Sequence, residues 1–232
     1  MTTTTDNATE FTNRVNTHLS AITAAAEFVD RDLTPEAAQR HRMEGARAAR
    51  DSLRSYIDEL PDLGDDPRQG ALDTLNPTTA DSVAVLGHEI DTVRALLDSG
   101  QNLARLISRA SATRAAAIYA HRETLALRSP EPEEAAAEVA QRVFDRLADL
   151  GTPELVEAAE QFTKWQADTA RRDVLRGLVE GGVSTGALTV LYRATPDEYT
   201  AIHGIHAAAD LIAKSARDAR DLDRTELTAR TS

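Results

Sequence analysis

The stretch that decides the fold class reads Asp81-Ser-Val-Ala-Val-Leu-Gly-His-Glu-Ile-Asp-Thr-Val-Arg-Ala-Leu-Leu-Asp98. Its apolar positions alternate between spacings of three and four residues, at Val83, Leu86, Ile90, Val93 and Leu97. Residues at this spacing share one face of an α-helix, because the helix has about 3.6 residues per turn. We therefore predict a helix over 81–98 whose apolar face packs against another helix.

The same helical period recurs along most of the chain, and no segment alternates apolar and polar residues as a strand would. Three threonine–proline pairs, Thr34-Pro35, Thr152-Pro153 and Thr195-Pro196, have the pattern of an N-cap followed by the first helical residue. Gly100 and Gly151 stand where helices are expected to end. The sequence predicts an all-α, multi-helix bundle of about seven or eight helices.

Proline and glycine mark two breaks in the helical pattern. Residues 61–77 contain three prolines and two glycines, which predicts a loop, with room for one short helix at 67–75. A shorter break lies at Ser129–Pro132. We interpret it as the boundary between an N-terminal helical bundle over 1–128 and a C-terminal helical region over 129–232.

The composition indicates that the helices pack through small side chains, so that the apolar seams between them are thin. Hydrophobic residues make up 41% of the chain, but 41 of its 232 residues are alanine and only 4% are aromatic. Alanine favours helix and buries little apolar area. Such helices are expected to pack closely or to be covered by a partner.

The net charge of −12 argues against nonspecific binding to nucleic acid or to an anionic membrane surface. The chain has no cysteine, which excludes disulfides and thiol chemistry. No segment approaches the roughly 18 apolar residues of a membrane-spanning helix, and the N-terminus lacks the pattern of a signal peptide. A cytoplasmic protein is therefore expected.

Two short patterns resemble chemical sites. Gly182-Val-Ser-Thr-Gly186 matches the nucleophile elbow of α/β-hydrolases, but that motif needs a preceding strand, and the residues before it have a helical pattern. We interpret Ser184 as a helix N-cap. His203, His206 and Asp210 share one helix face, but a metal site usually needs more ligands than this face offers. We predict no catalytic, cofactor-binding or metal-binding residues, and hence no enzyme.

Residues 171–206 run from Arg171-Arg-Asp-Val-Leu-Arg-Gly through Gly182-Val-Ser-Thr-Gly-Ala-Leu-Thr-Val-Leu191 to Pro196-Asp-Glu-Tyr-Thr-Ala-Ile-His203 and His206. The segment resembles the tri-helical helix-turn-helix segments of actinobacterial proteins. That resemblance implies a third helix beginning at Pro196. It also implies a small core, formed by Leu188, Thr189, Tyr199 and Ile202. The surface equivalent to a recognition helix would carry Asp197, Glu198, Thr200 and His203.

The segment departs from the helix-turn-helix pattern at the turn and in the third helix, the positions that determine DNA contact. Arg193 occupies the turn position that usually holds glycine, and residues 196–206 contain no lysine or arginine. Carboxylates at Asp197 and Glu198 would repel a phosphate backbone. We therefore predict the helix-turn-helix shape without DNA binding.

A second resemblance rests on residues 81–109 together with Leu33-Thr-Pro-Glu36. These stretches resemble uncharacterised helical proteins encoded by actinobacteriophages and prophages. The resemblance implies a phage or prophage setting, with the protein in the host cytoplasm or the virion.

Two function classes follow from these observations. The favoured one is a non-enzymatic helical interaction or assembly protein, phage- or prophage-encoded, that binds a protein partner or itself as a homo-oligomer. The alternative is a DNA-binding transcriptional regulator that uses 171–206. The favoured class involves no cofactor, and nucleic acid, membrane and small-molecule substrate are not expected as partners.

Overall fold

The computed structural model describes residues 3–127, 129–202 and 204–231. Within these residues the chain forms twelve helices and no strand, which confirms the all-α prediction. The helices are α1 Thr3–Ala26, α2 Pro35–Glu59, α3 Pro67–Asp73, α4 Ala80–Asp98, α5 Leu103–Ser108, α6 Ala112–Ala120, α7 Arg122–Ala126, α8 Pro132–Asp149, α9 Pro153–Glu180, α10 Thr185–Ala194, α11 Pro196–Ala201 and α12 Ala209–Thr231. The number exceeds the prediction in part because α5 and α7, of six and five residues, are too short to show an apolar period.

Helix ends follow the predicted punctuation in part. The Thr34 hydroxyl accepts a hydrogen bond from a backbone N–H in the first turn of α2, at 3.2 Å. Gly100 (φ 90°) and Gly151 (φ 76°) follow α4 and α8 with a positive φ that a residue with a Cβ rarely adopts. Thr195 does not cap α11 as predicted, because its hydroxyl donates to the Leu191 carbonyl at 3.2 Å and leaves the helix without a side-chain cap.

The chain divides into two compact units. Unit 1 combines the described residues of Met1–Leu63 with those of Gln166–Ser232, and unit 2 is Gly64–Trp165. Residues 153–165 of α9 belong to unit 2 and residues 166–180 belong to unit 1. The two ends of the chain therefore fold together into one unit, and the middle of the chain forms the other.

This division differs from the predicted boundary after residue 128. Proline does interrupt the helices at 129–132, but α8 beyond the break packs on α6 and α7 and shares their core. Val143 of α8 and Ile118 of α6 are both fully buried in it. A proline signals that a helix stops, and it carries no information on which core the next helix joins.

Unit 2 is built around a large apolar core drawn from α3 to α8 and the first part of α9. The predicted seam of α4 lies in it, since Leu86, Ile90 and Val93 are buried. Val83 is 55% exposed, so the seam begins one turn later than predicted. Tyr119 is also buried, and its hydroxyl donates to the Asp73 carboxylate at 3.2 Å.

Unit 1 has a core between α1, α2, the end of α9, α10 and the start of α12. One face of α1 packs in this core, where Phe11, Val15 and Ile22 are buried. Helices α1 and α2 approach closely at Gly45, where an added Cβ would lie 3.0 Å from the Ala25 Cβ. Small residues thus allow the tight helix packing that the alanine content predicted.

Candidate functional site

The structure partly brings together the predicted helix-turn-helix core. Leu188 and Ile202 are buried in the unit 1 core, and the half-buried Tyr199 packs against it. Thr189 does not belong to this core: it is exposed, and its hydroxyl donates to the Thr185 carbonyl at 2.8 Å. The helical period places position 189 on the face of α10 opposite to its buried neighbours.

The third helix is much shorter than the resemblance implied. Helix α11 ends at Ala201 after six residues, and the chain then turns before α12 begins at Ala209. Gly204 has φ 75° in that turn, a conformation that breaks a right-handed helix. A recognition helix needs enough length for several side chains to reach base edges in a groove, and six residues provide less than two turns.

Glu198 does not stand on the predicted exposed surface. Its side chain is only 11% exposed, because the Arg171 guanidinium donates to both of its carboxylate oxygens, at 2.7 and 2.5 Å. Asp168, one turn before Arg171 on α9, accepts a further hydrogen bond from the same guanidinium. The hydrogen bonds that Arg171 donates, those to Glu198 above all, raise the pKa of Arg171 above its ordinary value. The carboxylate that was expected to repel DNA forms a structural ion pair instead.

The other residues of that predicted surface have no common arrangement. Asp197 and Thr200 are exposed, and the Thr200 hydroxyl donates to the Pro196 carbonyl at 2.8 Å. His203 lies outside the described residues. The described part of this surface therefore offers one unpaired carboxylate and no cation.

One residue from each of the two patterns that resembled chemical sites makes a side-chain hydrogen bond in the described structure, and His203 of the second pattern lies outside it. The Ser184 hydroxyl accepts the Ala187 N–H at 3.4 Å, so Ser184 is the N-cap of α10 as predicted. The His206 Nε2 lies 3.0 Å from the Tyr199 hydroxyl. No group of three possible metal ligands occurs among the described side chains.

A different surface, on α1 and α2, has the features of a binding site. A groove of about 530 Å³ runs between these two helices. We call it the alanine groove, and its lining residues are Arg14, Thr17, His18, Ala21, Ala24, Ala25, Phe28, His41, Gly45, Ala48, Ala49, Ser52 and Leu53. Several of the alanines are solvent-exposed, although they sit in a continuous face of small residues.

Two aromatic rings lie at one end of the alanine groove. The Phe28 and His41 rings have centroids 4.1 Å apart, and Arg42 donates to the Phe28 carbonyl at 3.3 Å. These contacts hold the segment after α1 against α2. The groove thus has a fixed aromatic end and a floor of methyl groups.

Beneath the alanine groove lies a buried histidine with an incomplete set of hydrogen bonds. His18 is 5% exposed, and its Nδ1 lies 3.2 Å from the Ala49 carbonyl. Because a carbonyl can only accept, Nδ1 carries the proton and Nε2 keeps a lone pair. That lone pair has no partner among the described residues. Burial lowers the pKa of His18, and the Ala49 hydrogen bond offsets this only in part.

Sequence reasoning missed the site for an identifiable reason. No sequence motif singles out His18, because its partner is a backbone atom 31 residues away. The small residues at 21, 24 and 25 and at 45, 48 and 49 do carry the three–four spacing of a helix face. The alanine content indicated thin seams, but not on which helices or faces they lie.

No known protein family, curated protein or solved structure matches the chain. Over the described residues, no helix combines the length and apolar character needed to cross a bilayer.

Proposed function

We propose that the protein is a non-enzymatic interaction protein that self-associates through the alanine groove. One observation carries this proposal: none of the thirteen residues that line the groove is acidic. The whole chain has 38 acidic residues and a net charge of −12. An acid-free face of this size therefore contrasts with the rest of the molecule.

Charge favours a second copy of the chain as the occupant. Two copies at −12 repel each other wherever their acidic surfaces meet. The alanine groove is a surface on which they can approach without opposing carboxylates. A two-fold contact would place the same face of both copies together, as in most homodimers.

The small side chains support the same arrangement. Gly45 and Ala25 already permit a close approach between α1 and α2, and Ala21, Ala24 and Ala48 leave room for another helix. Two α1–α2 hairpins packed face to face would form an antiparallel four-helix bundle. Burial of the exposed methyl groups would drive the association.

The phage or prophage assembly setting is part of this proposal, because a self-associating helical protein suits it. The regulator alternative has less support. Helix α11 has six residues, residues 196–206 contain no lysine or arginine, and Glu198 is paired with Arg171. We expect no binding to random duplex DNA at about 50 mM salt, where phosphate contacts are strong. Tight binding in a mobility-shift assay would favour the regulator.

Sedimentation equilibrium over a wide range of protein concentrations tests the self-association. We expect a mass of twice 25.1 kDa for the unaltered protein. Ala48→Asp places a carboxylate in the alanine groove, opposite its own copy, and should shift the equilibrium to monomer. The matched control is Ala137→Asp, at an exposed position of α8 in unit 2, which should leave the mass unchanged. A monomeric parent, or an Ala48→Asp variant that remains dimeric, would contradict the proposal.

A further inference from the structure

A second cavity in unit 1 has a different chemistry from the alanine groove. It has a volume of about 350 Å³ and lies between α1, the end of α2 and the second part of α9. This volume is at the lower end of the range for small-molecule sites. We call it the arginine cavity, after the three arginines that line it together with three carboxylates: Arg14, Arg171, Arg172, Glu10, Glu59 and Asp168.

Two of the three arginines already have partners. Arg14 donates to Glu10 at 3.3 Å, and its guanidinium carbon lies 4.6 Å from the centroid of the Tyr56 ring. Arg171 is buried and bonded to Glu198 and Asp168. These pairs fix the walls of the arginine cavity and leave their charges balanced.

Arg172 is different. It follows Arg171 on α9, it is half-buried, and it makes no hydrogen bond or ion pair with any described residue. A guanidinium without a counter-charge at the wall of a partly apolar cavity attracts an anion, so an anion in the cavity would be stabilised. Glu59 is the remaining carboxylate, but it is exposed and water already solvates it.

The apolar residues that line the cavity indicate the chemistry of the uncharged part of the ligand. Phe11 and Leu175 are almost fully buried and form the floor, and Leu60 and Leu63 are half-buried beside them. Such walls bind a hydrocarbon or aromatic group. The two acids at Glu10 and Glu59 disfavour a phosphate or any other multiply charged anion.

We propose that the arginine cavity binds a small monocarboxylic acid with an apolar body, whose carboxylate pairs with Arg172 and whose body rests on Phe11 and Leu175. The ligand is monoanionic because the cavity offers one unpaired cation beside acidic neighbours. This proposal is independent of self-association through the alanine groove.

Calorimetric titration of the full chain with octanoate, octanol and octylammonium tests the proposal. The three probes share one hydrocarbon body and differ in charge. We expect octanoate to bind about tenfold more tightly than octanol, the effect of one charge-assisted hydrogen bond. Octylammonium should bind most weakly, because Arg172 repels it.

Arg172→Gln should lower the affinity for octanoate to that for octanol and leave the affinity for octanol unchanged. The matched control is Arg176→Gln, one turn further along α9, at an exposed position whose Asp173 neighbour is 3.9 Å away. The control should bind octanoate as the parent does. Ala48→Asp, in the alanine groove, should also retain octanoate binding, which separates a failure of this proposal from a failure of self-association.

Three results would each overturn the proposal. These are equal affinities of the parent for octanoate and octanol, tighter binding of octylammonium than of octanoate, and an unchanged octanoate affinity in Arg172→Gln. The comparison between octanoate and octanol uses the unaltered protein, so it tests the proposed carboxylate preference even if a variant folds poorly.

Discussion

Unit 2 comes from one continuous stretch of chain, whereas unit 1 joins the two ends of the sequence. Their interiors differ in kind as well. All four buried polar residues of the described chain, His18, Arg50, Arg171 and Ser215, lie in unit 1. Among the described residues, the three buried side-chain polar atoms without a hydrogen-bond partner, in His18, Arg50 and Thr169, are also in unit 1.

This difference indicates where the molecule gives up stability. Buried polar groups with incomplete hydrogen bonding cost about 1–3 kcal/mol each, and apolar side chains of similar size would not. Departures from an apolar interior tend to occur at functional sites. Unit 1 contains both candidate binding surfaces, and unit 2 is held mainly by apolar packing.

The ion pairs of unit 1 also join parts of the chain that are far apart. Arg50 of α2 donates to Asp223 of α12 at 2.5 Å, across 173 residues of sequence. Arg171 and Glu198 are separated by 27 residues. Such pairs contribute little net stability, but they can specify which segments pack together.

The largest effect that tests this contrast is expected in unit 2. Ile90→Ala removes a side chain that is 2% exposed from the apolar core. The free energy of unfolding should fall by about 2–4 kcal/mol, from lost burial and the cavity that remains. Urea denaturation measures it. Val83→Ala, on the same helix but 55% exposed, is the control and should change stability by less than about 0.5 kcal/mol.

An unchanged urea midpoint for Ile90→Ala would mean that the core of unit 2 does not depend on the α4 seam. The proposed contrast, between a unit 2 held by apolar packing and a unit 1 with buried polar groups, would then be wrong. The Val83→Ala control distinguishes this outcome from a general insensitivity of α4 to truncation.

A somewhat smaller effect is expected from breaking an ion pair in unit 1. Glu198→Ala leaves the buried Arg171 with Asp168 as its remaining counter-charge. We expect a loss of about 2–3 kcal/mol, less than the roughly 3–5 kcal/mol typical when a buried charge keeps no partner. The control, Asp197→Ala, removes an exposed carboxylate from the same turn and should have little effect.

Replacing both partners, Arg171→Met with Glu198→Leu, should restore most of the stability that Glu198→Ala loses. That result would show that the pair specifies structure without adding net stability. A double variant as unstable as Glu198→Ala would mean that the pair itself stabilises unit 1, and the proposed difference between the units would be wrong.

Local features of the fold were predictable from the sequence, and long-range ones were not. Helix periodicity and the cap at Thr34 depend on residues within one or two turns, and both predictions are confirmed. The grouping of residues 1–63 with 166–232 leaves no local signal, because each segment alone has the pattern of ordinary amphipathic helices. The predicted boundary relied on proline at 129–132, which is only a local break.

The candidate sites show the same limit. Glu198 was expected on a surface because of the resemblance to a helix-turn-helix segment, and its pairing with Arg171 depends on how α9 packs against α11. The arginine cavity combines residues of α1, α2 and α9 that share no motif. What the sequence did indicate was a protein with thin alanine seams, and the alanine groove is such a seam left uncovered on one side.

The smallest expected effect concerns His18, and its sign is opposite to that of the other two. His18→Leu removes the unpartnered Nε2 and should raise the free energy of unfolding at pH 7 by about 1 kcal/mol. Burial keeps the pKa of His18 in the folded protein below the value of about 6.5 of a free imidazole. The unfolded chain therefore binds more protons, and the stability of the parent should fall as the pH drops below about 6.5. The leucine variant should lose this part of the pH dependence.

His88→Leu, at an exposed position of α4, is the control and should match the parent both in stability and in its pH dependence. Urea denaturation at pH 7.5 and pH 5.5 (about one unit either side of the free imidazole value) measures both effects. A destabilised His18→Leu variant would mean that the Ala49 hydrogen bond outweighs the unpartnered lone pair, and that His18 is a structural residue of the α1–α2 pair.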